Sequence, residues 1–181
     1  MADNVYFYCG NDEYLVGLNA RKKVDQICPE AEQALSLEII EGAAAKIDDA
    51  AAAIDQCVAG FRTVGLFGGK KVVWFRDVSF FKNAVIMKNE QVKRLLGELA
   101  SDIKAGLADD QFLVVSAPGI DKRSAFYKAL KEACEISEYD IPERDYEARP
   151  VALKRAVSLF KREGYAIDAA AADAFVDKTG F

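Results

Sequence analysis

The sequence predicts an α/β layered fold with a mainly parallel sheet, followed by a small helical unit. Five short runs rich in β-branched, aromatic and aliphatic residues alternate with four stretches of helical period, the alternation that builds crossovers over a parallel sheet. Turn and capping residues stand between them. At Pro142–Pro150 the texture changes to a charged, proline-bounded connector. The boundary is therefore expected near residue 142, with an α/β domain over 1–141 and a helical segment over 142–181.

The first run, Val5–Cys9, reads as a buried strand that stops at Gly10, Asn11 and Asp12, which supply a turn and a helix cap. Tyr14, Leu15, Leu18, Val24 and Ile27 then fall near helical spacing, and Pro29 closes that segment. Leu35–Ile40 is expected as a second strand, and the alanine-rich stretch Ala43–Ala59 as a helix, alanine having the highest helix propensity. Lys71–Phe75 reads as the third strand, Glu90–Lys104 as an amphipathic helix and Phe112–Val115 as the fourth strand. Asp121–Ala133 is expected as a helix and Glu135–Ile141 as an edge strand. Beyond the connector, Val151–Arg162 and Ala169–Asp177 read as two helices. Two short helices bury little on their own, so the chain is expected to be the N-terminal piece of something longer.

Composition excludes several chemistries. Among 181 residues there is no histidine, which removes Ser-His-Asp and Cys-His nucleophiles and histidine-ligated metal sites. The four cysteines, Cys9, Cys28, Cys57 and Cys134, form no CxxC pair and read as small buried residues. The longest uncharged stretch, Gln111–Ile120, is too short to cross a bilayer, and the N-terminus has no apolar signal core, so the expected location is cytoplasmic. A net charge of −5 gives no global attraction to nucleic acid.

An α/β domain followed by a helical lid is the layout of many phosphate-loop ATPases, but the turn after the first strand does not carry GxxxxGK[ST]. Counting from Gly10, Leu15 stands at the second glycine, Val16 at the lysine and Gly17 at the magnesium-binding hydroxyl. Asp12 and Glu13 add negative charge where a polyphosphate would sit. The third strand ends in Arg76 and Asp77, with an arginine where an ATPase places an acidic metal ligand. Asp48-Asp49 and Asp109-Asp110 are sequence neighbours that read as solvated surface.

The segment Phe61–Lys71 is unusual. Glycines at 65, 68 and 69 disfavour a helix, while Leu66 and Phe67 are adjacent large apolar residues that cannot both face inward on a regular element. Flanked by Arg62, Lys70 and Lys71, the pair has the character of an anchor for a partner's hydrophobic pocket; the alternative is that it plugs the domain's own helical layer. Between Glu147 and Glu163 stand Arg149, Lys154, Arg155, Lys161 and Arg162 with no acid, candidate phosphate contacts or a solvated helix face.

Taken in order, Val5–Leu15, Leu66–Val73, Phe112–Val115 with Asp121-Lys122-Arg123, and Tyr165–Gly180 resemble the delta-subunit family of the bacterial DNA polymerase III clamp loader, over its N-terminal part. The resemblance covers nearly all 181 residues. It implies an ATPase-like three-layer fold without ATPase activity, then the start of a helical lid domain. It also implies a role in DNA replication: binding the sliding clamp (beta subunit) and helping to open it for loading on primed DNA, with Leu66 and Phe67 entering a hydrophobic pocket of the clamp. Gly65 stands where the family commonly has serine. The resemblance implies no catalytic residue, cofactor or metal, and no membrane. Primed DNA would be met indirectly or weakly, and other loader subunits through a C-terminal domain to which nothing here corresponds. The alternatives left by the residues are a nucleotide-binding enzyme with a degenerate phosphate loop and a DNA-contacting domain using the basic 149–162 stretch.

Overall fold

The computed structural model describes residues 3–63 and 69–180. Strands β1 (Val5–Cys9), β2 (Leu37–Glu41), β3 (Lys71–Arg76), β4 (Gln111–Ala117) and β5 (Glu135–Glu138) form one sheet in the order β2-β3-β4-β1-β5. Every neighbouring pair is parallel, with Phe7 opposite both Val115 and Ile136, and Trp74 opposite both Ile39 and Val114. Parallel pairs require crossovers. Helices α1 (Glu13–Ile27), α3 (Ile47–Arg62), α5 (Glu90–Ala105) and α6 (Ala125–Ala133) supply them. By its contacts the chain divides into two units, Met1–Tyr139 and Asp140–Phe181.

Alternation along each strand sorts the core into two layers. Val5, Phe7, Val73, Phe75, Leu113 and Val115 pack with α3, α5 and α6 on one face. Tyr8, Val72, Trp74 and Val114 pack with Val16, Ala20, Val24 and Ile27 of α1 on the other. The central strands are buried on both sides, which is why they read as unbroken apolar runs. In α5 the cap is Asn89, whose side chain accepts from Gln91 and Val92, and Val92, Leu95, Leu96, Leu99 and Ile103 form the buried stripe. All four cysteines are buried and none is in a disulfide; burial pushes the Cys57 thiol far above its ordinary value and that of Cys134 up to about 11.

Four expectations are corrected. Leu35 and Ser36 belong not to a strand but to a short helix, α2 (Glu30–Ser36), and β2 starts at Leu37. Pro29 is the cap of α2 as well as the stop after α1, because its fixed φ suits the start of a helix. The alanine-rich helix begins at Ile47, not Ala43, since Gly42 is held between strand ends, donating to the Arg76 carbonyl at 2.6 Å. Asp121–Ser124 is a turn in which Asp121 accepts the Arg123 N–H, and Ser124 caps α6. Finally, Pro142–Pro150 is not wholly a connector: α7 (Asp145–Arg162) starts at Asp145 and carries Pro150 inside it, at the loss of one helical hydrogen bond. A 3-10 turn (Ser79–Lys82) and a short α4 (Ala84–Lys88) were not foreseen; Phe80, Phe81 and Ile86 there complete the core.

In the second unit α7 packs on α8 (Ala169–Thr179) through buried Ala148, Ala156, Ala172 and Val176. The Phe160 and Phe175 rings meet edge to face at 5.3 Å. Asp168 caps α8 by accepting the Ala171 N–H at 2.8 Å.

Candidate functional site

In an open parallel sheet, ligands sit beyond the carboxyl ends of the strands, so the β1–α1 turn is the first place to look. Asp12 is buried and its side chain accepts the Leu15 N–H at 3.0 Å, capping α1 with the helix's own carboxylate. The Asp12 N–H donates to the Tyr139 carbonyl at 3.1 Å, and the Tyr139 N–H donates to the Cys9 carbonyl at 2.8 Å. Gly10 has φ +141°, and a Cβ on it would stand 1.9 Å from the Tyr139 carbonyl oxygen. The glycine thus serves close approach of the chain leaving β5, and the peptide of Tyr139 bonds to the Asp12 N–H and the Cys9 carbonyl on either side of it. Val16, at the position of a phosphate-binding lysine, is buried in the α1 layer.

Beside this turn lies a cleft of about 720 Å3 bordered by Glu13, Tyr14, Arg21, Asp77, Ser79 and Lys82. Lys82 in its lining stands 3.6 Å from Glu13, and beside it Arg76, the last residue of β3, pairs with Glu41. Asp77 has φ +53°, its N–H donates to Ser116 Oγ at 3.2 Å, and partial burial raises its carboxyl pKa despite the opposing Arg76. The same Ser116 Oγ accepts Trp74 Nε1 at 3.1 Å. Among the described residues no group of three or more potential ligands is arranged to hold a metal ion.

Leu66 and Phe67 lie outside the described residues. Their flanks are described: α3 ends at Arg62 and β3 begins at Lys71, and these two flanking residues stand at the amino-terminal edge of the sheet, opposite the cleft. Arg62 Nη2 and Nε lie 2.5 and 3.1 Å from Asp102 Oδ2 on α5. Thr63 Oγ1 donates to the Gly60 carbonyl, and the Thr63 carbonyl accepts Gln111 Nε2 at 3.5 Å. On the other flank Lys70 Nζ reaches the Ile27 carbonyl at 3.5 Å, and Lys71 Nζ pairs with Glu38 at 2.6 Å.

The five basic residues of the 149–162 stretch all stand on α7 but in different circumstances. Arg149 is committed, with its guanidinium 2.5 Å from Asp177 and 2.9 Å from Asp173 on α8, contacts that raise its pKa and lower that of Asp177. Arg155 borders the apolar groove between α7 and α8, and Arg162 pairs with Glu163 at 3.1 Å. Lys154 and Lys161 are exposed two helical turns apart on one side of α7. Asp48, Asp49 and Asp109 are exposed, as their sequence context implies. Sequence reasoning missed Tyr139 and Asp102: nothing local marks either, since each acts on a distant part of the chain. No described helix is long and apolar enough to cross a membrane.

A family model for the delta subunit of DNA polymerase III matches residues 6–139. Among solved structures, the DNA clamp loader delta protein of Bacillus subtilis (YqeN) matches with a TM-score of 0.60 at 20% sequence identity, over 97% of this chain and 48% of that one. At that identity the likeness is one of fold, and the chain spans about half the length of that relative. No curated protein matches the sequence.

Proposed function

We propose, from the premise that this chain belongs to the delta-subunit family of the DNA polymerase III clamp loader, that it is a non-catalytic module that binds the DNA sliding clamp through Leu66 and Phe67 and helps to open it for loading on primed DNA. One observation carries the reading: the nucleotide edge of the sheet is closed by the chain itself, the Tyr139 peptide bonding to Asp12 and Cys9 over Gly10. A phosphate at this turn would meet the Tyr139 carbonyl oxygen, the capping Asp12 carboxylate and Glu13 in place of free N–H groups and a lysine. What function remains is binding, and Leu66-Phe67 is the sequence feature suited to it. Adjacent large apolar residues between glycines follow the flank held by Arg62 and Thr63 and precede the one held by Lys70 and Lys71.

Residues 142–181 are then the beginning of the lid. Primed DNA is met weakly, with Lys154 and Lys161 the contributors best placed among the basic residues of α7; Arg155 and Arg162 follow, and Arg149 is held by its two aspartates.

The test is a titration of the sliding clamp from the same organism with the parent chain and with Leu66→Ala/Phe67→Ala. Two buried anchors are each worth roughly 2 kcal/mol, so losing both weakens binding at least about a hundredfold. Equal affinity of a folded double mutant would sink the anchor assignment. Magnesium-dependent ATP turnover by the purified chain would sink the non-catalytic reading.

A further inference from the structure

Strand β2 stands at one end of the sheet, and among the described residues only β3 pairs with it. The Gly42 N–H donates to the Arg76 carbonyl at 2.6 Å, so by the alternation of a parallel ladder Ile40 also turns its peptide groups toward β3, while Ile39 and Glu41 turn theirs outward. Leu37 is used otherwise, its N–H donating to the Gln33 carbonyl as α2 ends. Nothing among the described residues bonds to the outward peptide groups of Ile39 and Glu41. Side chains are open at the same place. Ile39 lies opposite Trp74, on the face that α1 covers over β1, β3 and β4, yet it is 39% exposed, and Leu35, just before the strand, is 63% exposed.

The same edge carries the charge. Residues 30–49 hold six carboxylates against Lys46 alone, so this one stretch accounts for the whole net charge of −5. Glu38 and Glu41 pair with Lys71 and Arg76 of β3, while Glu30 and Glu32 before the strand and Asp48 and Asp49 after it are exposed. A second copy of the chain would bring like charges edge to edge, a device by which native sheets keep their edges from pairing with themselves. An extended segment that alternates lysine or arginine with apolar residues meets none of that repulsion. We propose that the free edge of β2 takes such a segment of a partner protein as a sixth strand, with main-chain bonds at Ile39 and Glu41, an apolar side chain over Ile39 and cations toward the surrounding carboxylates. The proposal uses neither Leu66 nor Phe67 and stands whether or not they bind a clamp.

The probe is a short labelled peptide alternating lysine and valine, titrated into the chain at physiological salt and followed by anisotropy. Beside it runs the same peptide with proline for each valine, which keeps the charge and cannot pair as a strand. The lysine–valine peptide is expected to bind saturably and to slow hydrogen exchange at the Ile39 and Glu41 amides. The proline peptide is expected to bind at least about tenfold more weakly, the loss of one or two main-chain bonds. Ile39→Lys, at an exposed position, is expected to weaken the lysine–valine peptide about tenfold with the circular dichroism unchanged. Equal binding of the two peptides would show that charge alone attracts them, and unchanged exchange at Ile39 and Glu41 under saturating peptide would put the peptide elsewhere; either result overturns the proposal, as does the absence of saturable binding. A doubling of mass with concentration in sedimentation, abolished by Ile39→Lys, would make a second copy the occupant and overturn it too. Should Ile39→Lys fail to fold, the two peptides and the exchange measurement on the parent chain decide the question by themselves.

Discussion

The carbonyl oxygen of Tyr139 lies 1.9 Å from where a Cβ on Gly10 would stand, so these two residues, from opposite ends of the α/β unit, close the β1–α1 turn against each other. The turn is a junction between the first strand and the chain that leaves the last one. Its Asp12 N–H and Cys9 carbonyl hold the sheet's edge through the Tyr139 peptide.

Replacing Gly10 by alanine therefore carries two penalties: a collision with backbone that has no rotamer to change, and a φ of +141° that a side chain tolerates poorly. The expected loss is at least about 3 kcal/mol by urea unfolding. Gly17→Ala is the matched control, since it lies inside α1 with nothing within 4 Å of the added methyl, and it is expected to gain about 0.5–1 kcal/mol. Equal stability of the two variants would contradict the closed turn.

Ser116 is fully buried, and its Oγ accepts both Trp74 Nε1 and the Asp77 N–H. Ser116→Ala leaves two donors without that acceptor, at an expected cost of about 1–3 kcal/mol. Trp74 is the only tryptophan in the sequence, so its emission reports the change directly. Unaltered stability together with unaltered emission would show that the hydroxyl is dispensable.

Alkaline stability should depend on Tyr127. Burial, and then the hydrogen bond its hydroxyl donates to Glu138, push its pKa from 10.0 up to about 12. Between those values the unfolded chain has released a proton that the folded chain still holds. Stability present below about pH 10 is therefore lost as pH rises toward 12. Burial pushes Tyr8 up to about 12 as well and adds to the same loss. Urea midpoints measured across this range should fall less steeply for Tyr127→Phe than for the parent; identical slopes would contradict the assignment.

Arg149 ties α7 to α8 through Asp173 and Asp177, residues one turn apart on the facing helix. Arg149→Ala is expected to speed hydrogen exchange throughout α8 while leaving exchange in the β-sheet unchanged. High salt should do the same to the parent and not to the variant. Unchanged exchange in α8 would show that the apolar contacts alone hold the pair of helices.

The strands were legible because the central ones are buried on both faces and so read as continuous apolar runs, as Val72–Phe75 and Leu113–Val115 do. The α5 stripe was legible from its period. Pro29 did end the first helical segment, though it also begins α2, whereas Pro150 misled, because it sits inside α7 and does not bound a connector. At the turn, the departure from GxxxxGK[ST] was readable from Leu15, Val16 and Gly17. The contact that packs the turn was not, because Tyr139 reaches Gly10 only once β5 has paired with β1. The basic stretch on α7 looked uniform in sequence, and only the placement of α8 shows Arg149 to be spoken for.

The closed turn also predicts what rebuilding the motif would do. Leu15→Gly/Val16→Lys/Gly17→Thr restores the residue types of a phosphate loop after Gly10. Val16, however, is only 2% exposed and packs in the layer with Tyr8, Ala20 and Val24, so a lysine there starts from inside the core. The turn's Asp12 N–H still belongs to Tyr139, and Asp12 still caps the helix. The triple variant is expected to lose at least about 2 kcal/mol from burying the amine's stem and charge, and to give a flat calorimetric titration with ATP and magnesium. Saturable binding by the variant would mean that the turn opens to admit phosphate, and that three side chains, not the Tyr139 peptide, are what keep nucleotide out.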